Sequence, residues 1–110
     1  YQLYASIAPR PDDWPVLLTK LGDLGRQEYD WSQEVAAIKV PTMIVVGDAD
    51  GVRTVHAVEF FELLGGGKAD AGLDGSGMFN ARLAILPATT HYDIFSSPAL
   101  VAAVTPFLDA

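Results

Sequence analysis

Two short apolar runs constrain this chain more than any other feature. Thr42-Met43-Ile44-Val45-Val46 and Arg82-Leu83-Ala84-Ile85-Leu86 lack the polar alternation of a half-exposed strand. Such runs suit strands buried on both faces, as in parallel sheets covered by helices. Between them Val55, Val58, Phe61 and Leu64 recur at helical spacing, with Thr54 placed to cap that helix and Gly65-Gly66-Gly67 to end it. Strand, helix, strand implies a parallel pair joined by a right-handed crossover. The expected fold class is therefore α/β.

The rest of the chain reads as helix and loop. Asp12 or Asp13 can cap a helix with Pro15 in its first turn, an apolar face of Trp14, Leu17, Leu18, Leu21 and Leu24, and Gly25 just past its end. Asp30 and Gln33 form a capping-box pattern for a second, short helix that buries Val35 and Ile38. Six glycines between residues 65 and 80 predict a mobile surface loop. Ser97-Pro98 starts a last helix with Leu100, Val101, Val104, Phe107 and Leu108 on its buried side, and Pro106 is expected to kink or end it. Two regions result: a helical segment over 1–38 and an α/β region over 39–110.

Charge and composition exclude several classes. Seven basic against fourteen acidic side chains give a net charge of −7, which repels phosphate backbones and anionic lipid surfaces. No nucleic-acid or membrane partner is expected, and no apolar run approaches the roughly 20 residues of a spanning helix. The chain contains no cysteine, so disulfides and thiolate chemistry are ruled out, and cytoplasm is the default compartment. The chain starts at Tyr1, in what reads as the interior of a structured region, so a fragment is expected.

In parallel sheets ligands collect at the carboxyl ends of the strands. Gly47-Asp48-Ala49-Asp50-Gly51 follows the first run, and Thr89-Thr90-His91-Tyr92 follows the second. Together they offer an acid and an imidazole, the pair in which a carboxylate fixes the ring tautomer and stabilises the imidazolium. The plainer expectation here is turn chemistry, with Asp48 or Asp50 bonding nearby backbone amides. For His91 the plainer expectation is a surface or structural histidine. His56 is expected to be solvated. Tyr92, Asp93 and Phe95 are expected to pack beneath the last helix, with pocket lining as the alternative.

The segment Val40–Asp50, with Val40-Pro41-Thr42-Met43-Ile44-Val45-Val46-Gly47-Asp48-Ala49-Asp50, resembles the part of α/β-hydrolases where a strand delivers the triad acid. Leu86-Pro87-Ala88-Thr89-Thr90-His91 resembles the family's last strand and histidine loop, followed by a terminal helix over 97–108. The helices before Pro41 resemble a cap. The resemblance implies the C-terminal portion of that fold, with a cap-like segment over 1–38 and the core part over 39–110. It assigns Asp50 as the acid and His91 as the general base and acid. It also implies hydrolysis of an ester or related small-molecule substrate without metal or cofactor.

The family's nucleophile elbow, G-x-S-x-G, precedes acid and histidine in the chain, and no such motif occurs in these residues. Asp74-Gly75-Ser76-Gly77-Met78 has the wrong spacing and order, so Ser76 is not taken as nucleophile, and no triad turnover is expected of this chain alone. Two other readings stay open. Asp48-Ala49-Asp50-Gly51-Val52 resembles the D-x-D-x-[TV] motif of haloacid-dehalogenase-type phosphatases, which would make Asp48 the nucleophile and Asp50 the acid/base around Mg²⁺. Alternatively the chain is a non-catalytic module that binds itself or another chain. Independently of that choice, two buried-type strands without neighbours leave apolar surface and strand edges exposed and predict a homo-oligomer.

Overall fold

A computed structural model describes residues 1–110 and divides the chain into two compact units, Tyr1–Asp30 and Trp31–Ala110. The first unit holds helix α1 (Gln2–Ile7), a 3₁₀ turn at Pro11–Asp13 and helix α2 (Trp14–Arg26). The Trp14 ring meets Tyr4 at 5.0 Å and Tyr1 at 5.8 Å between centroids, an aromatic cluster that ties α1 to the start of α2. Arg10 pairs with Asp13 at 2.9 Å, and Arg26 pairs with Asp23. Of the apolar face read from the sequence, Trp14 and Leu17 are half-buried, whereas Leu18, Leu21 and Leu24 are exposed. Gly25 lies inside α2 rather than past it, and the helix ends instead with Gln27 in extended conformation.

The second unit runs α3 (Ser32–Ala36), β1 (Thr42–Gly47), α4 (Thr54–Leu63), β2 (Ala81–Leu86), a 3₁₀ turn at Ile94–Ser96, and α5 (Pro98–Leu108). Helix α3 begins at Ser32 with Trp31 at its N-cap, later than the sequence pattern at Asp30, and it contacts α4. Its Val35 is half-buried, but Ile38, expected on the same side, is exposed. The strands pair in parallel, in step from Thr42 opposite Ala81 to Gly47 opposite Leu86. Their carboxyl ends are flush, so the loops after β1 and β2 leave from one edge. Helices α4 and α5 each touch both strands.

Burial is thinner than the apolar runs imply. The buried hydrophobic residues are Ala57, Leu64, Ala81, Leu86 and Ile94. Met43 to Val46 are only half-buried and Ile85 is 40% exposed, so neither strand is covered on both faces. The reason is geometric: a two-stranded sheet has no further strand to extend the surface on which helices pack.

Local sequence chemistry explains the helix ends. Arg53 occupies the N-cap of α4, and Thr54 is the first helical residue rather than the cap. Leu64 closes that helix, and Gly65 follows at φ +97°, the left-handed region that glycine adopts at helix C-termini. A Cβ there would lie 2.5 Å from the Phe79 ring. The expected mobile loop after it is built from turns: Asp70 Oδ1 accepts from Gly72 N at 2.8 Å, and Asp74 Oδ1 from Ser76 N at 3.0 Å. Ser97 caps α5, its Oγ accepting from Ala99 N at 3.3 Å. Pro106 does not end α5, which continues to Leu108, and Val101 and Leu108 fall on its exposed side.

Ser97→Ala is expected to destabilise the chain by about 1 kcal/mol, the usual cost of losing an N-cap. Urea unfolding followed by circular dichroism measures it; an unchanged midpoint contradicts the capping role.

Candidate active site

The acid loop and the histidine loop meet at the flush end of the sheet. Asp48 N donates to Leu86 O at 2.9 Å, which carries the strand ladder one residue past Gly47. Ala49 N donates to Thr89 O at 3.0 Å, and Thr89 N reaches Asp48 Oδ1 at 3.4 Å. Thr89 is buried, and its hydroxyl donates to Pro87 O at 2.9 Å. Ala88 just before it takes φ +49°, a left-handed conformation that turns the chain sharply after β2.

This approach requires a residue without a side chain at position 47. A Cβ on Gly47 would stand 1.9 Å from Thr89 O and 2.6 Å from its carbonyl carbon, both backbone atoms that no rotamer change can move aside. Gly47 is thus what lets the two loops touch.

Across that junction Asp50 and His91 pair. His91 Nδ1 donates to Asp50 Oδ2 at 3.1 Å, the direction being set because an ionised carboxylate only accepts. The other oxygen, Oδ1, accepts from Val52 N at 2.7 Å. Both carboxylate oxygens are therefore engaged, one fixing the group to its own loop and one orienting the imidazole. The Asp50 side chain is 4% exposed and that of His91 60% exposed. The Val52 amide holds the Asp50 carboxyl below its ordinary value of 3.8; desolvation opposes this, and the His91 hydrogen bond and charge add to the lowering. With Nδ1 protonated, Nε2 is the ring's free acceptor.

Beside the pair is a recess of about 210 Å³ lined by Asp50 and His91 together with apolar Val45, Val52, Ile94, Phe95 and Leu100. It is smaller than the 300–1,000 Å³ typical of ligand pockets. A second hollow, about 230 Å³ against Phe61, Lys68 and Phe79, contains no acid–base pair.

The two residues expected to carry chemistry, Asp50 and His91, are brought together. The local turn chemistry expected of Asp48 or Asp50 is present at Asp50, which accepts from Val52 N, whereas Asp48 accepts from Thr89 N in the other loop. Ser76 is committed to Asp74 in the glycine-rich loop, and His56 is exposed on α4. Tyr92 and Phe95 do not pack beneath α5. They are 92% and 84% exposed, Phe95 edging the recess and Tyr92 meeting the His91 ring edge-on at 5.9 Å. Reading for reactive side chains missed Gly47 and the Thr90–Asp93 turn. The second carries a signal, since Thr90-x-x-Asp93 fits the capping pattern of a hydroxyl followed three residues later by an acid.

No group of three or more His, Cys, Asp or Glu side chains gathers in a metal-ligating arrangement, and Asp48 and Asp50 are directed to different partners. No helix is long and apolar enough to cross a membrane. Comparisons with protein-family models, with curated proteins and with solved structures gave no match.

Two outcomes follow from this geometry. Gly47→Ala is expected to destabilise by about 1–3 kcal/mol or more, as overpacking against an immovable neighbour does; a melting temperature within a degree of the parent's contradicts the contact. Because the folded-state pKa of Asp50 is lowered, its contribution to stability is fully present above about pH 4 and is lost as pH falls through the lowered value. Asp50→Asn is therefore expected to flatten the acid side of the stability–pH curve, leaving the slope due to Asp74, whose carboxyl is lowered by the Ser76 amide. Equal slopes for parent and variant below pH 4 contradict it.

Proposed function

We propose that these residues supply the acid–histidine half of an α/β-hydrolase-type catalytic triad, acting on an ester or related small acyl substrate. The nucleophile and oxyanion hole come from chain outside these 110 residues. One observation carries the reading: His91 Nδ1 lies 3.1 Å from an Asp50 carboxylate whose other oxygen is already held by the Val52 amide. A merely exposed histidine has no need of a carboxylate fixed in place from behind. In this reading Nε2 takes the proton of the attacking hydroxyl as the nucleophile bonds to the acyl carbon. Asp50 stabilises the imidazolium, and the same proton passes to the leaving alcohol as the acyl–oxygen bond breaks. Strand order, the acid after β1 and the histidine after β2, supports the same assignment. A cytoplasmic setting is part of the proposal.

In the full-length protein, a serine-directed fluorophosphonate is expected to label one site. Labelling and p-nitrophenyl ester turnover should be abolished by His91→Ala and reduced on the order of 10⁴-fold in kcat by Asp50→Asn, as for a wrong tautomer. Turnover unaffected by His91→Ala, or no labelling of the folded full-length protein, overturns the reading.

The exposed apolar side chains favour a second reading, a self-associating module without turnover. Ile85 on β2 and Val101 and Leu108 on α5 are uncovered, together with Leu18, Leu21 and Leu24 on α2. Light scattering of the 110-residue chain at micromolar concentration is expected to give a dimer or larger species under this reading. A monodisperse monomer removes it.

A further inference from the structure

The turn bearing His91 is closed by groups that the Asp50–His91 pair does not use. Thr90 N donates to Asp93 Oδ1 at 2.7 Å, and Thr90 Oγ1 accepts from Tyr92 N and from Asp93 N, each at 3.2 Å. These reciprocal bonds form a capping box, a device that normally satisfies the orphan amides at the start of a helix. Here no α-helix follows directly. The chain makes one turn and the short 3₁₀ segment Ile94–Ser96 before Ser97 starts α5. What the box fixes is the backbone of residues 90–93, and His91 is inside it.

That matters because little else holds the ring. The imidazole is largely exposed, so packing does not set its direction. Apart from the edge-on Tyr92 ring at 5.9 Å, its position depends on the backbone from which it projects and on the single bond to Asp50. On the preceding side, the backbone is anchored by Thr89, through Ala49 N and Asp48 Oδ1. On the following side, it is anchored by the Thr90–Asp93 bonds and by Ile94, which is buried. We infer that Thr90 and Asp93 are positioning residues for His91: their reciprocal hydrogen bonds set the turn from which the ring delivers its Nδ1 proton to Asp50. The inference deepens the triad reading and rests on the Asp50–His91 pair being formed.

The test reads the His91 tautomer by long-range ¹H–¹⁵N NMR on the 110-residue chain at about pH 9, where an ordinary histidine, with pKa of about 6.5, is neutral. His56 serves as internal reference. The parent is expected to show His91 as the Nδ1–H form, opposite to the Nε2–H form that free histidine favours in water. Asp93→Ala and Thr90→Val should shift His91 toward Nε2–H. Asp93→Asn and Thr90→Ser, which keep the acceptor and the hydroxyl, should restore the parent spectrum, a rescue that a general loss of stability would not give. If Asp93→Ala fails to fold, Thr90→Val, which leaves the Asp93 carboxylate in place, decides. Parent-like tautomers in the folded loss variants, or failure of both conservative variants to restore it, overturn the inference. Asp50→Asn separates the two levels. If it leaves the tautomer unchanged, the pair itself is absent and the triad reading fails with it; if it changes the tautomer while the Thr90 and Asp93 variants do not, only the positioning role fails.

Discussion

The close approach of Gly47 to the Thr89 carbonyl is the contact on which the site depends. Strand pairing brings β1 and β2 to a flush end, but a flush end alone does not join the loops beyond it. Because position 47 has no Cβ, the Thr89 carbonyl comes in over it, and Ala49 N reaches that carbonyl at 3.0 Å. From there Asp50 is three residues past Gly47 and His91 two past Thr89, which puts carboxylate and imidazole within one hydrogen bond. A methyl group at position 47 would separate the loops, and the pair would lose its geometry without Asp50 or His91 being altered.

The surrounding scaffold is lightly built. The buried apolar residues number few, both strands remain half-exposed, and α5 leaves Val101 and Leu108 uncovered. A core of this size leaves a small margin over the conformational entropy of the chain. Polar bonds at the loop junction, Asp48 N to Leu86 O, Ala49 N to Thr89 O and Val52 N to Asp50 Oδ1, therefore hold the site in place where packing is thin. The uncovered apolar surface includes Ile85 on β2 and Val101 and Leu108 on α5.

The strands, the crossover helix, the last helix with its Ser97 cap and the pair Asp50–His91 were legible in the sequence, because each has a local signature: apolar runs, helical spacing, a Ser-Pro start, an acid and a histidine after successive strands. Strand burial was not legible. An apolar run records what a strand can bury, whereas actual burial depends on how many neighbours the sheet has. Gly25 misled for a related reason: glycine is favoured just past a helix end, yet it is also found inside helices at a cost of about 0.5–1 kcal/mol relative to alanine, as in α2. Gly47 was hidden because its role is defined by Thr89, distant in sequence. Tyr92 and Phe95 defeated the rule that aromatics pack inward: on the turn and the 3₁₀ segment between β2 and α5 they are left exposed.

Titration of the Asp50 carboxyl by ¹³Cγ NMR, in the parent chain and in His91→Ala, addresses the pair most directly. The geometry predicts a parent midpoint below the ordinary 3.8, moved back toward that value but still lowered in His91→Ala, because the Val52 amide is the larger cause. A parent midpoint at or above 3.8, or one that His91→Ala leaves unchanged, would contradict the pairing of Asp50 with His91.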